Sequence, residues 1–149
     1  MWFDENFRRP VGARDSSVVV VGSGGRLGKV LVGRLSKHHR VVALDRGDLD
    51  LADEKSIRRV LGAIDYGRLF LTAALTDVDY CETHPREAYV TNAEAAGIIA
   101  EVCAGKCAHM TYLSTDMVFD GSNAMPYRET DPPLPISVYG HSKRDGEHR

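Results

Sequence analysis

The chain has 149 residues, 43% hydrophobic and 27% charged, with a formal net charge of −2 and a pI near 6.3. A chain of that size buries one core, so a single domain is expected. The weak net charge, with Lys and Arg scattered rather than striped, excludes a basic nucleic-acid footprint and leaves small molecules as the expected partners.

The opening "MWFDENFRRPVGARDSS" has acidic residues and no apolar h-region, and no later window approaches about 18 uninterrupted apolar residues. Neither a secretory signal nor a membrane span is expected, and the chain reads as cytoplasmic. Residues 1–15 read as an N-terminal extension and 16–149 as the folded domain. From Ser16, "SSVVVVG" is the continuous β-branched run of a parallel strand buried on both faces, and "GRLGKVLVGRLSKH" carries apolar residues at helical spacing. "RVVALD" (40–45) repeats the strand signal. "ADEKSIRRVLGAI" opens on acidic residues and sets Ile57, Val60, Leu61 and Ile64 on one helical face. "RLFLTAAL" (68–75) predicts a third strand. A long Ala-rich helix is predicted from Pro85 to about Ala104, and "HMTYLST" (109–115) is the fourth strand. After the "DPPLP" loop, "SVYGHSKRDGEHR" starts another helix. The alternation predicts an α/β doubly wound parallel sheet with a Rossmann-like fold, the first strand lying between the second and third.

The three cysteines, Cys81, Cys103 and Cys107, form no disulfide framework and fit a reducing compartment. Cys103 and Cys107 with His109 match no familiar zinc spacing, so no metal site is expected and the cysteines read as small buried hydrophobes. His38, His39, His84 and His141 are assigned no role.

Gly22, Gly25 and Gly28 form G-x-x-G-x-x-G between the first strand and its helix, with Gly24 inside it. Such a turn lets backbone N–H groups approach a pyrophosphate, and its last glycine lets helix and strand pack closely. Asp45 ends the second strand, where an adenosine ribose would lie. Ser114, Thr115 and Asp116 stand at the carboxyl end of the fourth strand, where ligands sit in open parallel sheets. Tyr139 and Lys143 form Y-x-x-x-K, and residues four apart share a helix face. A phenol of pKa about 10 is a poor proton donor at neutral pH, and a nearby ammonium lowers it. Lys143 is expected to supply that cation, Tyr139 the proton, and Thr115 (or Ser114) a hydrogen bond to the carbonyl oxygen receiving it.

With these features, "TDVDYCETHPREAYVTN", "STDMVFDG" and "PYRETDPPLPISVYGHSK" resemble the extended short-chain dehydrogenase/reductases, and within them the dTDP-4-dehydrorhamnose reductase family. The resemblance runs from about Val18 to the last residue. It implies that Gly22, Gly25, Leu27 and Gly28 hold the pyrophosphate, that Asp48, Asp50 and Leu51 lie near the adenine, and that Ala73, Ala74 and Thr76 line the ribose and phosphates. It also implies that Thr115, Tyr139 and Lys143 are the catalytic trio, the last two also touching the cofactor, with Ser114 and Asp116 near the sugar and Asn92 supporting from the long helix. Two departures stand out. Leu71 replaces the asparagine of the family's "NAA" block, removing a polar contact beneath the cofactor, and Met117 replaces the tyrosine after "STD". Relatives continue well past the Y-x-x-x-K helix, so the chain as it stands is expected to bind a dinucleotide weakly at best, to self-associate along the free edge of its fourth strand or be marginally stable, a homodimer being open, and to show no measurable turnover.

Asp45 favours the ribose 2′-OH of NADH, whereas Arg46 and Arg26 favour the 2′-phosphate of NADPH. The resemblance permits either cofactor, and the two arginines tilt the balance to NADPH. The leading reading is a reductase of a dTDP-activated 4-keto-6-deoxy sugar. A regulatory NAD(P)-binding module is disfavoured by the intact trio. A nucleotide-sugar epimerase or dehydratase remains, although Met117 breaks the acidic pair usual after the threonine in dehydratases.

Overall fold

The structure, a computed structural model, describes residues 17–149; Ser16 and the expected extension 1–15 lie outside the described residues. Four parallel strands, β1 (Ser17–Val21), β2 (Val41–Leu44), β3 (Tyr66–Leu71) and β4 (His109–Tyr112), form one sheet in the order β2-β1-β3-β4. The α/β fold and the central place of the first strand are as predicted. The strands are shorter than predicted, and β4 stops at Tyr112, so Ser114 and Thr115 stand beyond the ladder. The register aligns Leu44, Val21, Leu71 and Tyr112 across the sheet, so all four strands end on one line.

Helices α1 (Arg26–Leu35), α2 (Glu54–Ala63), α5 (Ala95–Gly105) and α6 (Val138–Glu147) complete the layers, and the short α3 (Val78–Thr83) and α4 (Pro85–Tyr89) lie over the strand ends. One face of the sheet, presenting Val19, Val21, Leu44, Leu69 and Leu71, packs on Ile57, Leu61 and Ile99 of α2 and α5, each of these side chains being buried. The α2 face is the predicted one, with Val60 and Ile64 partly buried beside Ile57 and Leu61. Asp53 caps α2 by accepting from the Lys55 N–H at 2.9 Å. Burial of each such aliphatic side chain stabilises by about 1.5–3 kcal/mol.

The predicted helix over 85–104 is present and runs without a break from Pro85 to Gly105, with a change of winding inside it. Its residues are α4, a π-helical turn at Val90–Glu94 and α5, and α3 precedes it as an element with no apolar periodicity to announce it. Asp77 caps α3 by accepting from Tyr80 N–H at 3.0 Å, a local polar signal rather than a periodic one. Among the cysteines, Cys81 and Cys103 are buried as expected, but Cys107 is exposed at φ 54° in the turn after α5, where its backbone N–H bonds Ala104 O at 3.0 Å. That turn reverses the chain at the surface and turns the thiol away from the core.

Candidate functional site

The line of strand ends opens a groove of 1260 Å³. Its floor is the turn after β1. Gly22 has φ +91°, and a Cβ there would lie 2.6 Å from the Ala73 nitrogen, so both conformation and close approach require glycine. A Cβ on Gly28 would run into the Gly22 carbonyl, so Gly28 is where α1 seats on the turn; it is buried and does not line the groove. Gly22, Gly24 and Gly25 do line it and leave backbone exposed there. Thr72 braces the turn from β3, its Oγ1 donating to Val21 O at 2.9 Å. Leu71, which replaces the expected asparagine, is core.

Of the other residues expected at the cofactor, Arg26, Asp45, Arg46, Asp50, Leu51, Ala73, Ala74 and Thr76 line the groove. Leu27, 45% exposed on α1, and Asp48 do not; Asp48 instead accepts from Asp45 N–H at 3.0 Å, shaping the turn after β2. Asp45 Oδ1 accepts from Gly47 N–H at 2.8 Å, and Asp50 Oδ1 from Ala52 N–H at 2.9 Å. No hydrogen bond or ion pair within the described residues engages the Arg26 or Arg46 guanidinium, so both charges are available to a ligand. The far wall, unforeseen from the sequence, is Thr83 to Glu87 with Val90 and Thr91.

Beyond the groove lining, α6 presses against the segment that follows β4. Ser137 caps α6 by accepting from Gly140 N–H at 3.0 Å, and Glu82 Oε1 accepts from Val138 N–H at 2.7 Å. A Cβ on Gly140 would strike the Met117 carbonyl, so the helix approaches backbone to backbone. That approach brings Tyr139 to Thr115 and carries Lys143 to the Leu113 carbonyl, which accepts from Nζ at 2.6 Å. Thr115 Oγ1 accepts from Met117 N–H and donates to Asp116 Oδ1, each at 3.2 Å, capping a 3₁₀ turn at Asp116–Val118. Thr115, Asp116, Tyr139 and Lys143 therefore share one cluster. Ser114 leaves it: with Met110, Tyr112 and Gly146 it lines a separate cavity of 430 Å³ between β4, α5 and α6.

The electrostatics differ from expectation. Burial pushes the Tyr139 phenol up, and the hydrogen bond with Thr115 opposes this; Lys143 contributes no resolved lowering. Burial lowers the Lys143 ammonium to about 8, with Glu147 opposing. A lysine in this seat is spending its field on the Leu113 carbonyl and on the Tyr112 ring, 4.0 Å from Nζ, rather than on the Tyr139 oxygen.

Asn92 joins groove and cluster from the π turn. Fully buried, its Oδ1 accepts from Leu75 N–H at 2.8 Å, and its Nδ2 donates to Leu75 O and Ser142 Oγ at 3.0 Å each. Ser142 Oγ donates to the Tyr139 backbone carbonyl at 2.8 Å, and the Tyr112 hydroxyl donates to the Asn92 backbone carbonyl at 2.9 Å. Leu75 lines the groove and packs against the cluster containing Tyr139, so it is the wall between them. Tyr112 and Ser142 escaped the sequence reading, although Tyr139, Ser142, Lys143 and Gly146 recur at spacings of three and four that mark one buried face. Among the described residues no group of three or more His, Cys, Asp or Glu could hold a metal ion, and no helix is long and apolar enough to cross a membrane.

The RmlD substrate binding domain family matches residues 16–149. The chain is 38% identical over 133 residues to the spore coat polysaccharide biosynthesis protein SpsK of Bacillus subtilis, covering 89% of this chain and 47% of that protein. It is 36% identical over 132 residues to dTDP-4-dehydrorhamnose reductase of Mycolicibacterium smegmatis, covering 87% of this chain and 40% of the relative. Among solved structures, dTDP-4-dehydrorhamnose reductase from Bacillus anthracis in complex with NADP superposes with a TM-score of 0.86 at 34% identity, over 91% of this chain and 49% of that one. The chain spans less than half the length of each of these proteins.

Proposed function

Because the chain belongs to the RmlD substrate-binding-domain family, we propose that it carries the cofactor groove and proton-donating cluster of an NADPH-dependent reductase of a nucleotide-activated 4-keto-6-deoxy sugar, as in dTDP-rhamnose biosynthesis. The observation that carries this reading is the junction at Leu75, where a glycine-floored groove meets the cluster in which buried Tyr139 neighbours the partly exposed Thr115. The groove's chemistry fits a dinucleotide: exposed backbone at Gly22, Gly24 and Gly25 suits a pyrophosphate, and Arg26 and Arg46, unpaired among the described residues, suit a 2′-phosphate. That pair of charges favours NADPH over NADH, which Asp45 alone would favour. Bound there, the nicotinamide would supply hydride to the sugar's carbonyl carbon.

The chain's own residues do the rest. Thr115 orients the carbonyl oxygen, and Tyr139, its neighbour, gives up the phenolic proton that the oxygen collects. Lys143, with Asn92 and Ser142, holds the helix that presents Tyr139, and Asp116 faces the sugar. The reading treats residues 16–149 as one dinucleotide-binding domain of a cytoplasmic enzyme whose partners are a nucleotide sugar and, in the assembled enzyme, a second copy.

The test is twofold. Calorimetric titration of the chain with NADP⁺ should give saturable one-to-one binding. In an enzyme with measurable NADPH oxidation against dTDP-4-dehydrorhamnose, Tyr139→Phe should leave cofactor affinity nearly intact and lower kcat by about 10²- to 10⁴-fold or more. No dinucleotide binding, or an unchanged kcat, would refute it.

A further inference from the structure

The groove contains one aromatic ring, and it is held as if for a ligand. His84 borders the groove at the junction of α3 and α4, whereas Tyr80 does not line it. The two rings stack with centroids 3.9 Å apart and planes 4° from parallel, so Tyr80 backs His84. His84 Nδ1 lies 2.8 Å from Thr83 Oγ1 and 3.2 Å from Tyr80 O. Tyr80 is itself pinned, its hydroxyl donating to Glu87 Oε2 at 3.0 Å. Both residues are exposed, so this pinning buries little apolar surface and adds little to the core. What it produces is an exposed flat ring, fixed in orientation, whose Nε2 has no hydrogen-bond partner among the described residues.

Its position selects the ligand. His84 lines the same groove as Asp45, Arg46, Leu49 and Leu51, and the Arg46 charge at the turn after β2 acts on the Tyr80 hydroxyl behind it. That is the ribose end of the groove, where the planar, apolar-faced part of a dinucleotide is its adenine. Aromatic side chains bind bases by stacking, with about 1–3 kcal/mol per base.

We propose that His84, backed by Tyr80, is the stacking platform for the adenine base of the cofactor. The inference rests on the groove being the dinucleotide site. It assigns a role to a histidine that had none from the sequence: Tyr80 and His84 stand four apart, close enough to stack, but the groove that His84 borders is built by residues distant in the chain.

The experiment measures binding of NADP⁺, ADP and nicotinamide mononucleotide to the 149-residue chain by calorimetry, for the parent, His84→Ala, His84→Asn and His84→Phe. His84→Ala should weaken NADP⁺ and ADP alike by about 5- to 100-fold and leave the mononucleotide unchanged. His84→Asn keeps a polar partner for Thr83 without the ring and should be as weak as alanine; His84→Phe should recover affinity to within about threefold of the parent. Unchanged ADP affinity in His84→Ala, or a phenylalanine variant as weak as alanine, overturns the platform while leaving the groove's role intact. A parent that binds none of the three ligands overturns the dinucleotide reading and the platform with it.

Discussion

Lys143 Nζ lies 4.0 Å from the centroid of the Tyr112 ring, and the Tyr112 hydroxyl donates to the backbone of Asn92 at 2.9 Å. One tyrosine thus seats the buried ammonium of α6 with its ring face and anchors the π turn with its oxygen. A buried cation with no ion-paired carboxylate among the described residues is costly, and the ring quadrupole, the Leu113 carbonyl and the more distant Glu147 charge offset part of that cost.

Tyr112→Leu should therefore lower the Lys143 pKa below its value of about 8, because the neutral amine no longer competes with a ring-stabilised cation. Tyr112→Phe keeps the ring and should leave that pKa near the parent while costing about 1–3 kcal/mol for the unsatisfied Asn92 carbonyl. Titration of the lysine side chain by NMR separates the two. Equal Lys143 titrations in both variants would dismiss the ring's role.

The same lysine makes stability depend on pH. Its folded value of about 8 lies below the ordinary 10.5, so between them the unfolded chain binds more protons. The buried charge therefore costs stability below about pH 8, and the cost is relieved as pH rises toward 10.5. Buried Cys81 and Cys103, and the phenols of Tyr66, Tyr112 and Tyr139, are pushed up and act oppositely once pH passes their ordinary values of 9.0 and 10.0. Subtracting the urea stability of Lys143→Met isolates the lysine: the parent should gain on the variant by on the order of 1–3 kcal/mol across this window. A flat difference would mean that the ammonium is not destabilised by its burial.

Asn92→Ala should cost about 3 kcal/mol or more, since it unpairs Leu75 N–H and Leu75 O in the half-buried wall and removes the tether to Ser142. Because Leu75 stands between groove and cluster, the variant should also bind NADP⁺ less tightly. Chemical denaturation and calorimetry check the two effects, and a loss below about 0.5 kcal/mol would show that water replaces the amide freely.

Three glycines should respond with different signs. At Gly146 a Cβ would lie 2.5 Å from the Tyr112 hydroxyl oxygen and 2.6 Å from Asn92 O, so Gly146→Ala should destabilise by about 1–3 kcal/mol or more. At Gly62, on α2, a Cβ meets nothing within 4 Å, so Gly62→Ala should stabilise by about 0.5–1 kcal/mol. At Gly25 the nearest atom to a Cβ is Gly22 O at 3.3 Å, so Gly25→Leu should fold yet weaken NADP⁺ binding by about tenfold or more by projecting into the groove. Thermal melts and calorimetry on the three variants test the order.

The sheet was legible because its signals are local. Four consecutive valines after Ser17 demand a strand buried on both faces, and glycines at 22, 25 and 28 admit a turn and helix seat that few other residues fit. From such runs, their order and the right-handed crossover rule, β1 had to lie between β2 and β3. The π turn at Val90–Glu94 and the short α3 were not legible, since both depend on packing against α6 rather than on any repeat in their own residues.

Within the site, sequence spacing alone determined that Tyr139 and Lys143 share a helix face and that a polar cluster follows β4. Only the tertiary structure decided what those groups meet. Successive residues of an extended segment point to opposite sides, so Ser114 and Thr115 could not both reach Tyr139. The choice fell to Thr115 because Gly140 lets α6 reach the Met117 backbone, a contact between residues distant in the chain. Likewise, Y-x-x-x-K specifies a lysine near a tyrosine, but the balance of charge and burial at Lys143 is set by Tyr112 and Leu113, which are neighbours in space alone. Periodicity and backbone conformation are properties of a chain segment; desolvation and side-chain partnership are properties of the packed whole.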